Sequence, residues 1–280
     1  MGYRISHPQL EIELKFEKVD KLHIHEEIIP EMLDHLTEKI KNDACIKHPV
    51  IVDKETLVVL DGMHRVAAVQ RLGYQLMLVC LVDYMNPSIT VERWFRSVKD
   101  GGNASPVEIL TKSGYKLEPN TREGIEKLMK ERKAIAGVLT SHSAHAVLGQ
   151  EKNVKKAYDR IRDIELKLRE AGYEIEYDTV KDALVKLDSG EVSAIIAVPM
   201  ISKQEIIDTA LAGEVFIPKA TRHLIPARPL FVDAPMEWLK LDLKKANELL
   251  VEHLSKKRVK HLPGGQVLDR RYEEELYIFE

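Results

Sequence analysis

The chain has 280 residues, 44% hydrophobic and 31% charged, a balance that fits one large or two modest globular domains and excludes a disordered chain. Its formal net charge of −3 excludes the basic excess by which proteins wrap nucleic acid, so no nucleic-acid partner is expected. The N-terminus lacks the order of a signal peptide and no apolar run approaches the ~18 residues of a membrane span, which predicts a cytoplasmic protein with no membrane partner. The two cysteines, Cys45 and Cys80, stand apart in apolar contexts and read as reduced thiols.

Residues 10–22 (LEIELKFEKVDKL) alternate Ile12, Leu14 and Phe16, the period of a half-buried strand. The polar corner HIHEE follows, and Pro30 opens a helix that carries Leu33, Leu36 and Ile40 on one face. HPVIVD (48–53) and LVVLD (57–61) flank a short turn and predict a hairpin. DGMHR (61–65) then leads into a helix through Val66, Ala67, Val69 and Leu72, which Gly73 stops. MLVCLVDY (77–84) reads as a buried strand.

KDGGNASP (99–106) concentrates glycine, proline and small polar residues and predicts a domain boundary. Beyond it, strands are predicted at 134–140, 144–149, 174–179 and 193–200, and helices at 151–171, 179–188 and 202–212. A last helix over 242–256 ends in the basic run SKKRVK, and LPGG turns into the final segment YEEELYIFE. The organisation expected is a first domain over 1–102, a second over 103–240 and an extension over 241–280 with no assigned role. The sequence specifies no oligomeric state.

Chemistry concentrates in VVLDGMHRVAAVQRLG, which reads as strand, tight turn and helix. Gly62 allows close approach of a ligand to the backbone. The turn brings its N–H groups to the start of a helix, where the dipole favours phosphate or carboxylate. His64 and Arg65 add donors, and Asp61 is placed to hold a magnesium ion beside phosphates. The same residues also read as a plain turn with an aspartate cap and a surface His-Arg pair. No GxxxxGK[ST] loop and no protein-kinase HRD or DFG set occurs, so this turn is the candidate phosphate holder.

The strand–DGxHR–helix pattern, behind a hairpin opened by HP, resembles the nucleotide-binding segment of ParB-like and sulfiredoxin-like proteins. Met63 stands where sulfiredoxins carry a reactive cysteine, and no helix-turn-helix continuation follows as in chromosome-partition ParB proteins. The free serine kinases fit better: His25–Glu26 matches their His-Glu pair, Trp94 their tryptophan, and Gly213–Pro226 (GEVFIPKATRHLIP) their late motif, with Lys219, Thr221, Arg222 and His223 in place. The resemblance implies an α+β fold with a ParB/sulfiredoxin-like N-terminal domain and a smaller α/β C-terminal domain. It implies transfer of a phosphoryl group from ADP or ATP, with Mg2+, to the hydroxyl of L-serine, giving O-phospho-L-serine for cysteine biosynthesis.

On that resemblance Glu26 is the general base, with Glu27 as its alternative. Asp61, Gly62, Met63, His64 and Arg65 bind the nucleotide phosphates, with Asp61 also on the metal. Trp94, Lys219, Thr221, Arg222 and His223 bind the substrate, Arg222 through a bidentate grip on the serine carboxylate. The rival reading is a ParB-like nucleotide-binding switch that contacts DNA or a protein partner.

Overall fold

A computed structural model describes residues 2–99, 101, 104–151, 153–268 and 271–280. In chain order its helices are α1 (Pro30–Asp43), α2 (Met63–Arg71), α3 (Pro106–Lys112), α4 (Arg122–Lys130), α5 (Val154–Glu170), α6 (Val180–Ser189), α7 (Lys203–Leu211) and α8 (Leu243–Lys256). The contacts divide into two units. One comprises Met1–Thr90, Ile206–Val215 and His223–Glu280; the other comprises Val91–Glu205 and Phe216–Arg222.

The first unit is built on the alternating segment. Leu10–Lys18 forms a strand that buries Leu10, Ile12, Leu14 and Phe16. It pairs antiparallel with Tyr3–His7 on one side and Leu76–Val82 on the other. Val50–Asp53 runs parallel to Leu76–Val82 and antiparallel to Val59–Asp61, completing a five-stranded sheet. The hairpin turn is fixed by Asp53, whose carboxylate accepts from Thr56 N at 2.9 Å and Thr56 Oγ1 at 2.6 Å. Pro30 occupies the first turn of α1 as expected, and Ala44 ends that helix in the left-handed region. α1 and α2 pack together, α1 burying Leu33 and Ile40 and α2 burying Val66 and Val69.

Residues 241–280 belong to this unit rather than forming an extension. Glu275–Phe279 is the middle strand of a second sheet, parallel to Ala227–Leu230 and antiparallel to Val259–Leu262. α8 packs on Leu10–Lys18. There Asn247 Oδ1 accepts from Phe16 N at 2.7 Å, and Asn247 Nδ2 donates to Phe16 O at 3.2 Å. The pairing with Tyr3–His7 stops at Leu14, so the amide side chain satisfies strand edge that would otherwise lie bare.

The second unit is a six-stranded sheet in the order Glu174–Thr179, Trp94–Lys99, Ala194–Ala197, Ala134–Leu139, Ala144–Leu148 and Leu117–Pro119, with antiparallel neighbours throughout. Its helices are capped by their own sequences. Ser105 and Glu108 form a capping box on α3, and Thr121, Asn153 and Thr179 cap α4, α5 and α6. α5 buries Tyr158, Ile161, Ile164 and Leu168.

These units correct the boundary expected after residue 102. Gly102 and Asn103 lie outside the described residues, but Trp94–Lys99, which precedes them, pairs with both Glu174–Thr179 and Ala194–Ala197. The sheet therefore claims the chain from Val91 onward, and the chain returns to the first unit after Glu205 and again at His223. Among the described residues no helix is long and apolar enough to cross a membrane.

Candidate functional site

In the first unit, residues 23–26 run beside the strand that ends in Asp61. His23 N donates to Leu57 O at 3.0 Å and Val59 N to His23 O at 2.8 Å. His25 is fully buried, and its Nδ1 donates to Val59 O at 2.8 Å. Burial pushes the His25 imidazole below its ordinary range, partly offset by the neighbouring Glu26. Glu26 N then donates to Met63 Sδ at 3.3 Å, and Ile29 N donates to His64 Nε2 at 3.0 Å. The segment from Glu26 to Ile29 and the DGMHR turn, 35 or so positions apart in sequence, are thus joined by two hydrogen bonds, while His25 ties to Val59 in the strand that leads into the turn. Met63, which cannot act as a thiolate, instead holds the backbone of Glu26.

His223 completes this cluster within the same unit. Its ring stands edge-on to His25 with centroids 5.3 Å apart, and its Nε2 is hydrogen-bonded to Tyr84 Oη at 2.8 Å. Tyr84 is fully buried, and burial raises its phenol well above the ordinary tyrosine range. Nothing in the sequence singled Tyr84 out; it closes a strand of apolar residues and reads as core.

At the turn itself, Gly62 adopts φ +97°, and a Cβ built there would lie 2.6 Å from both Arg65 Nη2 and Val50 Cγ1. Glycine is required for the left-handed backbone and for the guanidinium packed over it. Arg65 Nη1 donates to His48 O at 2.8 Å and Pro49 O at 2.7 Å, while Nη2 donates to Asp61 Oδ2 at 2.8 Å. The same oxygen accepts from Arg228 Nη1 at 2.6 Å, and Arg228 Nε donates to Glu274 Oε1 at 2.6 Å. Burial opposes the charge on Arg228, but Asp61 and Glu274 outweigh it and hold the guanidinium more firmly protonated than usual. A cavity of about 290 Å³ opens beside this array, lined by Lys39, Lys47, His48, Arg65, Arg228 and Tyr272 among others. Asp43 and Asp61 also line it and pair with Lys47, Arg65 and Arg228, so its charge is mixed.

The residues present do not fit a resident magnesium ion. Asp61 already neutralises two guanidinium groups, and among the described residues no group of three or more His, Cys, Asp or Glu side chains could hold a metal.

In the second unit the late motif is held by its carbonyls, one after another. Arg96 Nη1 donates to Lys219 O at 3.2 Å, Tyr158 Oη to Ala220 O at 3.3 Å, and Trp94 Nε1 to Thr221 O at 3.0 Å. Lys219 sits at φ +61°, an uncommon backbone for a lysine that this clamp sustains. Trp94 also offers its ring to two cations of the motif, with Lys219 Nζ 5.1 Å and the Arg222 guanidinium carbon 5.7 Å from its centroid. Arg222 Nη1 donates to Glu92 Oε2. Arg96 is wholly buried and pairs through Nε with Glu165 Oε1 at 2.7 Å, while Glu165 Oε2 accepts from Tyr177 Oη at 2.9 Å. The sequence-predicted residues therefore divide, with Glu26, Asp61–Arg65 and His223 on the first unit and Trp94, Lys219, Thr221 and Arg222 on the second.

Comparison with known proteins decides the family. The chain is 30% identical to the ATP-dependent L-serine kinase of Staphylothermus marinus over 234 residues, which cover 79% of this chain and 89% of the relative. This chain belongs to the L-serine kinase family. A second family member, the ADP-dependent L-serine kinase of Thermococcus kodakarensis, is 27% identical over 241 residues, covering 83% of this chain and 95% of that protein. A solved free serine kinase in complex with AMP shares the kinase fold at TM-score 0.67 and 24% identity, covering 81% of this chain and 93% of the other. No protein-family model matches the chain.

Sequence reasoning missed Arg228, Glu274, Arg96 and Glu165. Arg228 lies in the apolar run ARPLFV, where a single cation flanked by prolines is the one visible signal; the other three occur in charged or mixed stretches that read as solvated surface.

Proposed function

We propose that this kinase transfers the terminal phosphoryl group of ATP or ADP to the side-chain hydroxyl of free L-serine, in the cytoplasm. The observation that carries the reading is the joining of the Glu26–Ile29 segment to the phosphate-type turn, through Glu26 N to Met63 Sδ and Ile29 N to His64 Nε2, in a chain of this family.

In the mechanism proposed, the serine Oγ attacks the terminal phosphorus as the bond to the leaving nucleotide oxygen breaks. Glu26 accepts the hydroxyl proton, Glu27 being the alternative carboxylate. The amides at the start of α2 and His64 face the phosphates. Arg65 orders the turn through Asp61 and the carbonyls of His48 and Pro49. Lys219, Thr221, Arg222 and His223 are assigned to the substrate, with Trp94 setting the backbone of the motif. Magnesium, carried on the nucleotide, would supply charge neutralisation to the phosphates. The relatives include one named for ATP and one named for ADP, so both donors are candidates.

The test is to incubate the purified protein with L-serine, magnesium and either nucleotide and to measure O-phosphoserine by mass. Product with one donor is expected. A folded protein that gives none with either donor overturns the reading.

A further inference from the structure

The last forty residues have no role in the reaction as described so far, yet one of their side chains reaches the phosphate turn through a single intermediary. We propose that Glu274 is a positioning residue for nucleotide binding, acting through Arg228 on Asp61 and so on the DGMHR turn. The inference rests on the nucleotide role proposed above for that turn.

Backbone register puts Glu274 where it acts. Glu275 N donates to Pro226 O at 3.0 Å, and the parallel pairing sets Ala227 opposite Glu275 and Arg228 opposite Leu276. This delivers the Glu274 carboxylate to Arg228 Nε at 2.6 Å, with only 15% of the Glu274 side chain exposed. Arg228 is buried and spans to Asp61, whose side chain keeps 39% exposure at the start of the turn. Asp61 in turn holds Arg65, the residue packed over Gly62. The chain of charges alternates in sign, Glu274, Arg228, Asp61, Arg65, and each link is a charge-assisted hydrogen bond. Without the Glu274 charge, Arg228 draws on Asp61 alone, and the carboxylate that orders Arg65 shifts with it. The same segment supplies Tyr272 to the wall of the adjoining cavity.

A neighbouring carboxylate provides the control. Glu275 pairs with His7 and His261 and has no hydrogen bond to Arg228 or Asp61 among those described. It reports docking of the segment without the link to the turn.

The experiment compares the full chain with Glu274→Gln, Glu274→Asp and Glu275→Gln, by steady-state kinetics with both substrates varied and by calorimetric Kd for ATP and ADP. For Glu274→Gln a rise of roughly tenfold in nucleotide KM and Kd is expected, with serine KM little changed. Glu274→Asp restores part of the loss and Glu275→Gln leaves nucleotide affinity as in the wild type. Unchanged nucleotide affinity in a folded Glu274→Gln protein overturns the inference, as does an equal loss in Glu275→Gln. If the wild type binds nucleotide but makes no phosphoserine, the kinase reading fails while the Kd comparison still decides this one. A wild type that binds neither nucleotide sinks both.

Discussion

The indole Nε1 of Trp94 donates to the carbonyl of Thr221 across 127 residues of sequence, at 3.0 Å. Trp94, a substrate-binding candidate on the family resemblance, fixes the backbone of the motif that carries Lys219, Thr221 and Arg222. Its face, covered by Lys219 and Arg222, holds their cationic ends at the same time. Trp94→Phe keeps an aromatic face, smaller than the indole, and removes the donor. It is expected to lower stability by about 1 kcal/mol and to raise serine KM more than nucleotide KM, as denaturant melts and two-substrate kinetics will show.

Glu26→Gln preserves the backbone bond to Met63 and removes the proposed proton acceptor. A fall in kcat of roughly 10²-fold or more is expected, with nucleotide Kd unchanged. Full activity in this variant, with Glu27→Gln inactive, would transfer the role to Glu27.

The buried Arg96–Glu165 pair makes a sharp stability test. Glu165→Gln leaves a fully buried guanidinium without its counter-charge, and a loss of about 3–5 kcal/mol is expected in equilibrium unfolding. Replacing Arg96 by Met together with Glu165 by Leu recovers much of that stability, because the desolvation of both charges is removed. Activity stays low in the double variant, since the Lys219 carbonyl has lost its donor.

His25 governs part of the acid sensitivity. The unfolded chain takes up this proton near 6.5, whereas the folded chain resists it to lower pH because the ring is buried. The unfolded state therefore binds more protons below pH 6.5, and the stability contributed by neutral His25 is present above that value and lost as pH falls below it. His25→Asn, whose amide can still donate to Val59 O, flattens this limb of the pH–stability curve measured by denaturant unfolding.

Gly62→Ala is expected to destabilise by about 1–3 kcal/mol, from the positive φ alone, and further because the new methyl collides with Arg65 and Val50. Thermal melting with and without nucleotide separates the strain from the loss of binding.

What the sequence disclosed and what it hid follow from the range of the interactions. The hairpin at 50–61, the DGMHR turn, α2 and its Gly73 stop are local, and composition marks each one. The strand Trp94–Lys99 went unseen because its centre is Arg96–Ser97, polar residues that are both buried, which breaks the apolar signature of a core strand. α4 presents only Ile125 and Met129 to the interior, too thin a stripe to stand out in a charged stretch. The first strand, Tyr3–His7, is short and gains its meaning from register with Leu10–Leu14. Arg228 and Glu274 could not be read as partners of Asp61, because nothing local couples positions 61, 228 and 274. The edges of the two units were not legible, since the chain crosses between them more than once.

The bonds between Phe16 and Asn247 have a temporal consequence. The first unit draws on residues 1–90, yet the helix that covers its strand edge and the strand that seats Arg228 follow the whole second unit in the chain. The second unit is nearly contiguous and can close on itself while synthesis continues. On the ribosome, then, residues 1–90 emerge well before the partners in residues 223–280 that complete their unit. Its strand edge and its phosphate turn wait for the final forty residues, and a message or polypeptide cut short near residue 240 yields a first unit that cannot reach its native contacts.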